Sequence, residues 1–149
     1  MLIFILYLHD SYLLRGNVDI DKKTKILIID DEELICWSLK KTFERTDEYD
    51  VSCAYTGDDA LKNIIENQYD VVITDLKLPD VDGTEFIAKI KKLVKDTPVI
   101  VISAYFSDLA MNDISKYNIF RCVNKPFEIS DIMNGVKDAM GRKVKEISG

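Results

Sequence analysis

Val71-Val-Ile-Thr-Asp-Leu-Lys-Leu-Pro-Asp-Val-Asp-Gly83 is the stretch on which the fold turns. It opens as a continuous β-branched run without polar alternation, the pattern of a strand buried on both faces of a parallel sheet. The run ends at Asp75. Pro79 and the Asp82-Gly83 pair then signal a turn, after which Phe86, Ile87, Ile90 and Val94 recur at helical spacing. A buried strand, a turn and an amphipathic helix together make half of a β-α-β unit.

The same alternation extends in both directions. Apolar runs stand at Ile26-Leu-Ile-Ile29, Tyr49-Asp-Val-Ser-Cys-Ala54, Val99-Ile-Val-Ile102 and Phe120-Arg-Cys-Val123. Between and after them lie the helical patterns Leu34/Ile35/Leu39/Phe43, Ala60/Leu61/Ile64/Ile65, the thinner Leu109/Ala110/Ile114, and Ile132/Val136/Met140/Val144. The chain thus reads as five repeats of strand then helix. The first, third and fourth runs are continuous and belong at the centre of the sheet, whereas the second and fifth are more polar, so at least one of them belongs toward an edge. Right-handed crossovers place helices on both faces, and the expected class is α/β, a doubly wound five-stranded parallel sheet.

The 149 residues carry 26 acidic and 20 basic side chains, a formal charge of -6, which suits one domain. An acidic balance argues against a nucleic-acid-binding surface covering the domain. Cys36, Cys53 and Cys122 are odd in number and form no C-x-x-C pair, which argues against a disulfide framework or a zinc cage. The apolar octapeptide Met1 to Leu8 is far short of the roughly 20 residues a membrane span needs. It also lacks the basic flank and the cleavage site of a secretory signal, so the expected location is cytoplasmic. Residues 1–23 read as an appendage that is non-native, disordered, an added helix or strand, or a dimerising segment. Residues 24–142 read as the domain and 143–149 as a helix end or linker.

In an open α/β sheet the ligand site lies beyond the carboxyl ends of the strands. Here the first strand runs into Asp30-Asp31, the third into Thr74-Asp75, the fourth into Ser103-Ala104 and the fifth into Asn124-Lys125-Pro126. Each has an ordinary explanation: Asp31 suits a helix N-cap, Asp75 a turn, and Ser103 and Lys125 a surface. Together, three anions at one rim repel each other and call for a cation. Mg²⁺ fits a set of hard oxygen donors. Asp75, held by a buried strand, is the candidate nucleophile toward phosphorus. Asp30 and Asp31 would then hold the metal, Lys125 would pair with the anionic group, and Ser103 would donate a hydrogen bond to it.

Ile28-Ile-Asp-Asp-Glu32, Val72 to Gly83, Val101-Ile-Ser-Ala104 and Asn124-Lys-Pro-Phe127, in that order at strand ends, resemble the receiver domain of two-component response regulators. The resemblance covers about residues 24 to 142 and implies a flavodoxin/CheY-like fold. It implies that Asp75 accepts a phosphoryl group from a sensor histidine kinase, with Mg²⁺ held by Asp30, Asp31, Asp75 and the backbone carbonyl of Lys77. It further implies that Ser103 is the switch hydroxyl, that Lys125 is the phosphate-pairing lysine, and that Lys125-Pro126 is cis. The partners implied are that kinase and a downstream output domain or effector, with a homodimer compatible. No direct contact with nucleic acid or membrane is expected, and the only catalysis expected is of the domain's own phosphorylation and dephosphorylation. The first helix, Leu34 to Lys40, resembles that of receivers in sigma-54-associated regulators, and Trp37 on it reads as surface packing.

The sequence departs from the family at Cys122, three residues before Lys125, where the pattern has a Tyr or Phe ring that swings inward. The signal would then travel through the Ser103 loop and fourth helix alone, or through Phe120 or Tyr105. Lys77 and Tyr105 stand at positions that tune phosphoryl lifetime, and a bulky Tyr105 suggests self-dephosphorylation over hours rather than seconds. The fourth helix, Ser107 to Lys116, has a thin apolar stripe and is expected to be the least stable element. Two alternatives to the switch are a non-phosphorylated pseudo-receiver that acts as a protein-docking module, and an aspartyl-phosphate phosphohydrolase. Lys77 stands where the phosphohydrolase would need a general-acid Asp.

Overall fold

A computed structural model describes residues 21–148. Ten elements follow one another: β1 (Thr24–Ile29), α1 (Glu33–Phe43), β2 (Tyr49–Ala54), α2 (Gly57–Glu66), β3 (Val71–Asp75), α3 (Gly83–Leu93), β4 (Val99–Ser103), α4 (Asp108–Ser115), β5 (Arg121–Asn124) and α5 (Ile129–Ser148). The strands form one parallel sheet in the order β2-β1-β3-β4-β5. The expected five-fold alternation is therefore present, and both of the more polar strands occupy edges. The appendage expected at residues 1–23 lies almost wholly outside the described residues. The stretch 143–148 continues α5 rather than forming a linker.

Every residue of β3 and β4 is buried, as their unbroken Val and Ile content requires. Alternate side chains of the sheet feed two cores. On one face Ile26, Ile28, Ile73 and Ile102 pack against Cys36, Leu39 and Phe43 of α1 and Ile132 and Val136 of α5. On the other, Leu27, Ile29, Val72 and Val101 meet Ala60 and Ile64 of α2 and Phe86, Ile87 and Ile90 of α3. Each fully buried Ile, Leu or Phe contributes about 1.5–3 kcal/mol, so the central strand ends are held firmly. The fourth helix is the shortest, eight residues long, and its Met111 remains exposed while Ile114 enters the core.

The loop after β3 is pinned by its own carboxylates. Asp80 accepts from the amides of Gly57 (2.8 Å) and Asp58 (3.1 Å) and so covers the start of α2. Asp82 caps α3 by accepting from the amides of Thr84 and Glu85, each 3.1 Å away. Those hydrogen bonds hold both carboxyls below the usual carboxylate range, led at Asp80 by the Gly57 amide and at Asp82 by the Thr84 hydroxyl. Between these caps Gly83 passes so close to the Leu76 carbonyl that a Cβ would overlap its oxygen. Replacing Gly83 with Ala should cost about 3 kcal/mol, the upper end for overpacking. Urea denaturation of Gly83→Ala against the parent chain measures it.

Candidate functional site

Parallel register brings the candidate residues to one rim. Asp75 stands beside Ile102 and Ser103 beside Asn124, so adjacent strands deliver Asp75, Ser103 and Lys125 to the same end of the sheet. Asp30 extends β1 by one residue, its amide donating to the Ala54 carbonyl at 3.1 Å. The Lys125-Pro126 peptide is cis, as the resemblance implied.

The centre of the site is the Lys125 ammonium. Its Nζ lies 2.7 Å from Asp75 Oδ2, 3.0 Å from Asp30 Oδ2 and 3.0 Å from Glu32 Oε1. Asp30 and Asp75 are only 1% and 5% exposed, so these are charge-assisted bonds largely removed from solvent. Burial acts to lower the Lys125 pKa, but its hydrogen bonds to Asp75, Asp30 and Glu32 outweigh that and hold it above the ordinary lysine value. For Asp30 burial is the largest influence, and it lifts the carboxyl above its ordinary value. The Glu32 amide and Lys125 oppose that rise, while the charge of Asp75 adds to it.

The second oxygen of each buried carboxylate is also occupied. Asp30 Oδ1 accepts from the Glu32 amide and Asp75 Oδ1 from the Lys77 amide, both at 2.9 Å. Carboxylate oxygens of Asp30, Glu32 and Asp75 all lie within 4.8 Å of one another. Three hard oxygen donors so grouped, with Glu32 and Asp75 lining a cleft of about 590 Å³, suit a small divalent cation that retains several waters. Asp31 is exposed and lines that cleft with Lys77, outside the tight three-carboxylate group. It does not cap α1, whose N-cap is Glu32 without a side-chain cap bond.

Ser103 is buried at 4% exposure and is turned into its own loop. Its hydroxyl donates to the Tyr105 carbonyl at 3.0 Å and accepts from the Tyr105 amide at 3.2 Å. Tyr105 itself is 77% exposed at the cleft edge. Cys122 is half-buried on the α2/α3 face beside Phe106 and Tyr117, whereas Phe120 packs on the opposite face. Of the two rings considered as substitutes, only Tyr105 therefore borders the site. Trp37 was expected to pack on its helix surface, yet it stands largely exposed.

Glu32 is the member that the strand-end reading omitted. Its only sequence signal is its place two residues after Asp30 at the head of α1, from which its side chain can turn back over the rim.

The model of the response regulator receiver domain matches residues 26–137. The chain belongs to this family. Receiver domains are signalling switches of two-component systems, acting in general between a histidine kinase and an output domain. Among solved structures, the chain is similar to a CheY-like receiver domain protein from Methanospirillum hungatei, with TM-score 0.80 and 28% identity over 84% of this chain and 99% of that one. It is also similar to a response regulator from Burkholderia pseudomallei that contains a phosphorylated aspartic acid and a calcium ion. That match has TM-score 0.70 and 26% identity, covering 83% of this chain and 73% of that one. The response regulator ArlR of Staphylococcus aureus is 31% identical over 121 residues, 80% of this chain and 54% of its own length. The chain therefore spans about half the length of the curated relatives it matches. Among the described residues no helix is long and apolar enough to cross a membrane.

Ionised Asp30 is held against burial and the charge of Asp75. A carboxyl whose folded pKa is raised stabilises the fold below its unfolded pKa, and that contribution is lost as pH rises through the folded one. Asp30→Asn should therefore raise the melting temperature at neutral pH in chelator by about 4 °C, the shift that ~1 kcal/mol produces in a domain of this size. The same variant should lose the further rise that Mg²⁺ gives the parent chain. Scanning calorimetry with and without Mg²⁺ measures both.

Proposed function

We propose that this receiver domain takes a phosphoryl group from a sensor histidine kinase onto Asp75 with Mg²⁺, and then alters its partner contacts through the Ser103 loop and α4. The observation that carries this is the Asp75 carboxylate, rigid at the end of a fully buried strand and 2.7 Å from an ammonium shared with two more carboxylates. Asp30, Asp31 and Asp75, with the Lys77 carbonyl, would hold the cation, which when bound neutralises charge on the phosphoryl oxygens. The calcium ion and phosphorylated aspartic acid of the similar Burkholderia pseudomallei protein support that assignment. The cytoplasmic location expected from the sequence belongs to the same reading.

Asp75 attacks phosphorus in line, the bond from phosphorus to the donor nitrogen breaks, and the phosphoryl group passes to the carboxylate oxygen. The Lys77 amide and Lys125 orient the attacking carboxylate beforehand. Lys125 then exchanges its contacts with Asp30 and Glu32 for the new phosphoryl oxygens. Ser103 leaves the Tyr105 carbonyl to donate to the same group, and that exchange moves the loop leading into α4, the shortest helix among the described residues. The exposed side chains of Leu34 and Trp37 stand on α1, and Leu34 lines a groove with Pro126 and Phe127 beside Lys125. These apolar groups suit contact with the donor protein.

Incubation with acetyl phosphate and Mg²⁺ should add the mass of one phosphoryl group, and Asp75→Asn or EDTA should abolish the gain. A chain that gains nothing would instead be a docking module, and a gain that survives Asp75→Asn would overturn Asp75 as the acceptor. The phosphoryl group should persist for hours near neutral pH, because the Tyr105 ring borders the cleft, and Tyr105→Ala should shorten its lifetime. Intact mass measured through a time course after removal of acetyl phosphate checks this; decay within seconds in the parent chain contradicts it.

A further inference from the structure

Directly behind the acidic rim, two thiols from different elements meet. Cys36 of α1 is fully buried, and its Sγ donates to the Asp30 backbone carbonyl at 3.4 Å. Cys53 of β2 is half-buried, its Sγ 3.9 Å from the Cys36 carbonyl oxygen, and the two thiols are direct neighbours. The third cysteine, Cys122, packs on the other face of the sheet, so the pairing is specific to two of the three. We propose that Cys36 and Cys53 form an oxidation site: a hydroperoxide converts them to an intramolecular disulfide that joins α1 to β2 and loosens the metal site at Asp30.

The chemistry follows from accessibility. Cys53 is the sulfur an oxidant can reach, since it is half-buried whereas Cys36 is fully buried. Its sulfur attacks one peroxide oxygen and the O–O bond breaks. The thiol proton leaves with the departing hydroxide as water, and a sulfenic acid remains. Cys36 is the resolving thiol. Its sulfur attacks Cys53 sulfur, the S–S bond forms, the S–O bond breaks, and hydroxide leaves with the Cys36 proton as a second water. Two thiols lose two electrons in total and the peroxide gains them. Disulfides that form in reducing compartments are generally transient and redox-sensing rather than structural.

The consequence for the site comes from the same proton. Once Cys36 is in a disulfide it has no hydrogen to donate to the Asp30 carbonyl, and α1, which carries Glu32 at its head, is tethered to the sheet through a new bond. Outer partners of a metal ligand commonly govern its affinity by 10–100-fold, so Mg²⁺ binding is expected to weaken about tenfold. This consequence rests on Asp30 being a metal ligand. The disulfide itself does not.

The test uses the full chain, reduced, freed of reductant and treated with hydrogen peroxide. Intact mass should fall by two hydrogens, peptide mapping should find Cys36 joined to Cys53, and dithiothreitol should reverse it. Cys122→Ser should behave as the parent and Cys53→Ser should not lose the two hydrogens. Mg²⁺ titration followed by the fluorescence of Trp37, the neighbour of Cys36, should show the tenfold weakening in the oxidised parent alone. Oxygen added without a cross-link, a cross-link to Cys122, or a loss that survives in Cys53→Ser would overturn the site. An oxidised parent that binds Mg²⁺ as tightly as the reduced one would overturn its effect on the metal. A reduced chain that binds no Mg²⁺ would count against the metal reading, while the mass result would still decide the disulfide.

Discussion

One ammonium holds the site together. Lys125 sits within 3.0 Å of three carboxylates, two of them buried, and without it those anions would repel each other in a poorly solvated place. A single positive charge cannot balance three negative ones, so the arrangement is underneutralised by construction. That residue of uncompensated charge gives the rim its appetite for a further cation. Lys125 is shared among the three, and no one carboxylate owns it.

The sheet exists, for this purpose, to keep those charges in place. Two of the strands beneath the rim, β3 and β4, are buried on both faces, and the loop carrying Asp75 onward is tied down by Asp80 on the head of α2 and Asp82 on the head of α3. Rigidity is concentrated on the β1-β3 side. On the other side the Ser103 hydroxyl bonds only within its own turn, α4 is short, and β5 is partly exposed. The acidic rim is thus fixed by buried strands, while the adjoining Ser103 loop is held mainly by its own hydrogen bonds.

The family's usual inward-swinging ring is absent here, and its place is taken by a thiol. Cys122 and Phe120 lie on opposite faces of the sheet, and Tyr105 is the aromatic ring at the edge of the cleft. Meanwhile the opposite face carries two thiols, Cys36 and Cys53, and Cys36 touches the backbone of Asp30.

The amino-acid sequence determined the alternation of strand and helix, the interior position of β3 and β4, and the strand ends at which Asp30, Asp75, Ser103 and Lys125 appear. These are legible because periodicity and burial pattern are local properties of the chain, and a parallel sheet brings its strand ends to one rim. The tertiary structure alone decided that Glu32 rather than Asp31 completes the tight carboxylate group. It also decided that Ser103 faces Tyr105, that Trp37 is left in solvent, that Phe120 and Cys122 lie on opposite faces, and that Cys36 meets Cys53. Each of these depends on the register between strands and on the angle at which a helix lands on the sheet, quantities fixed by the packing of residues tens of positions apart and written in no single segment.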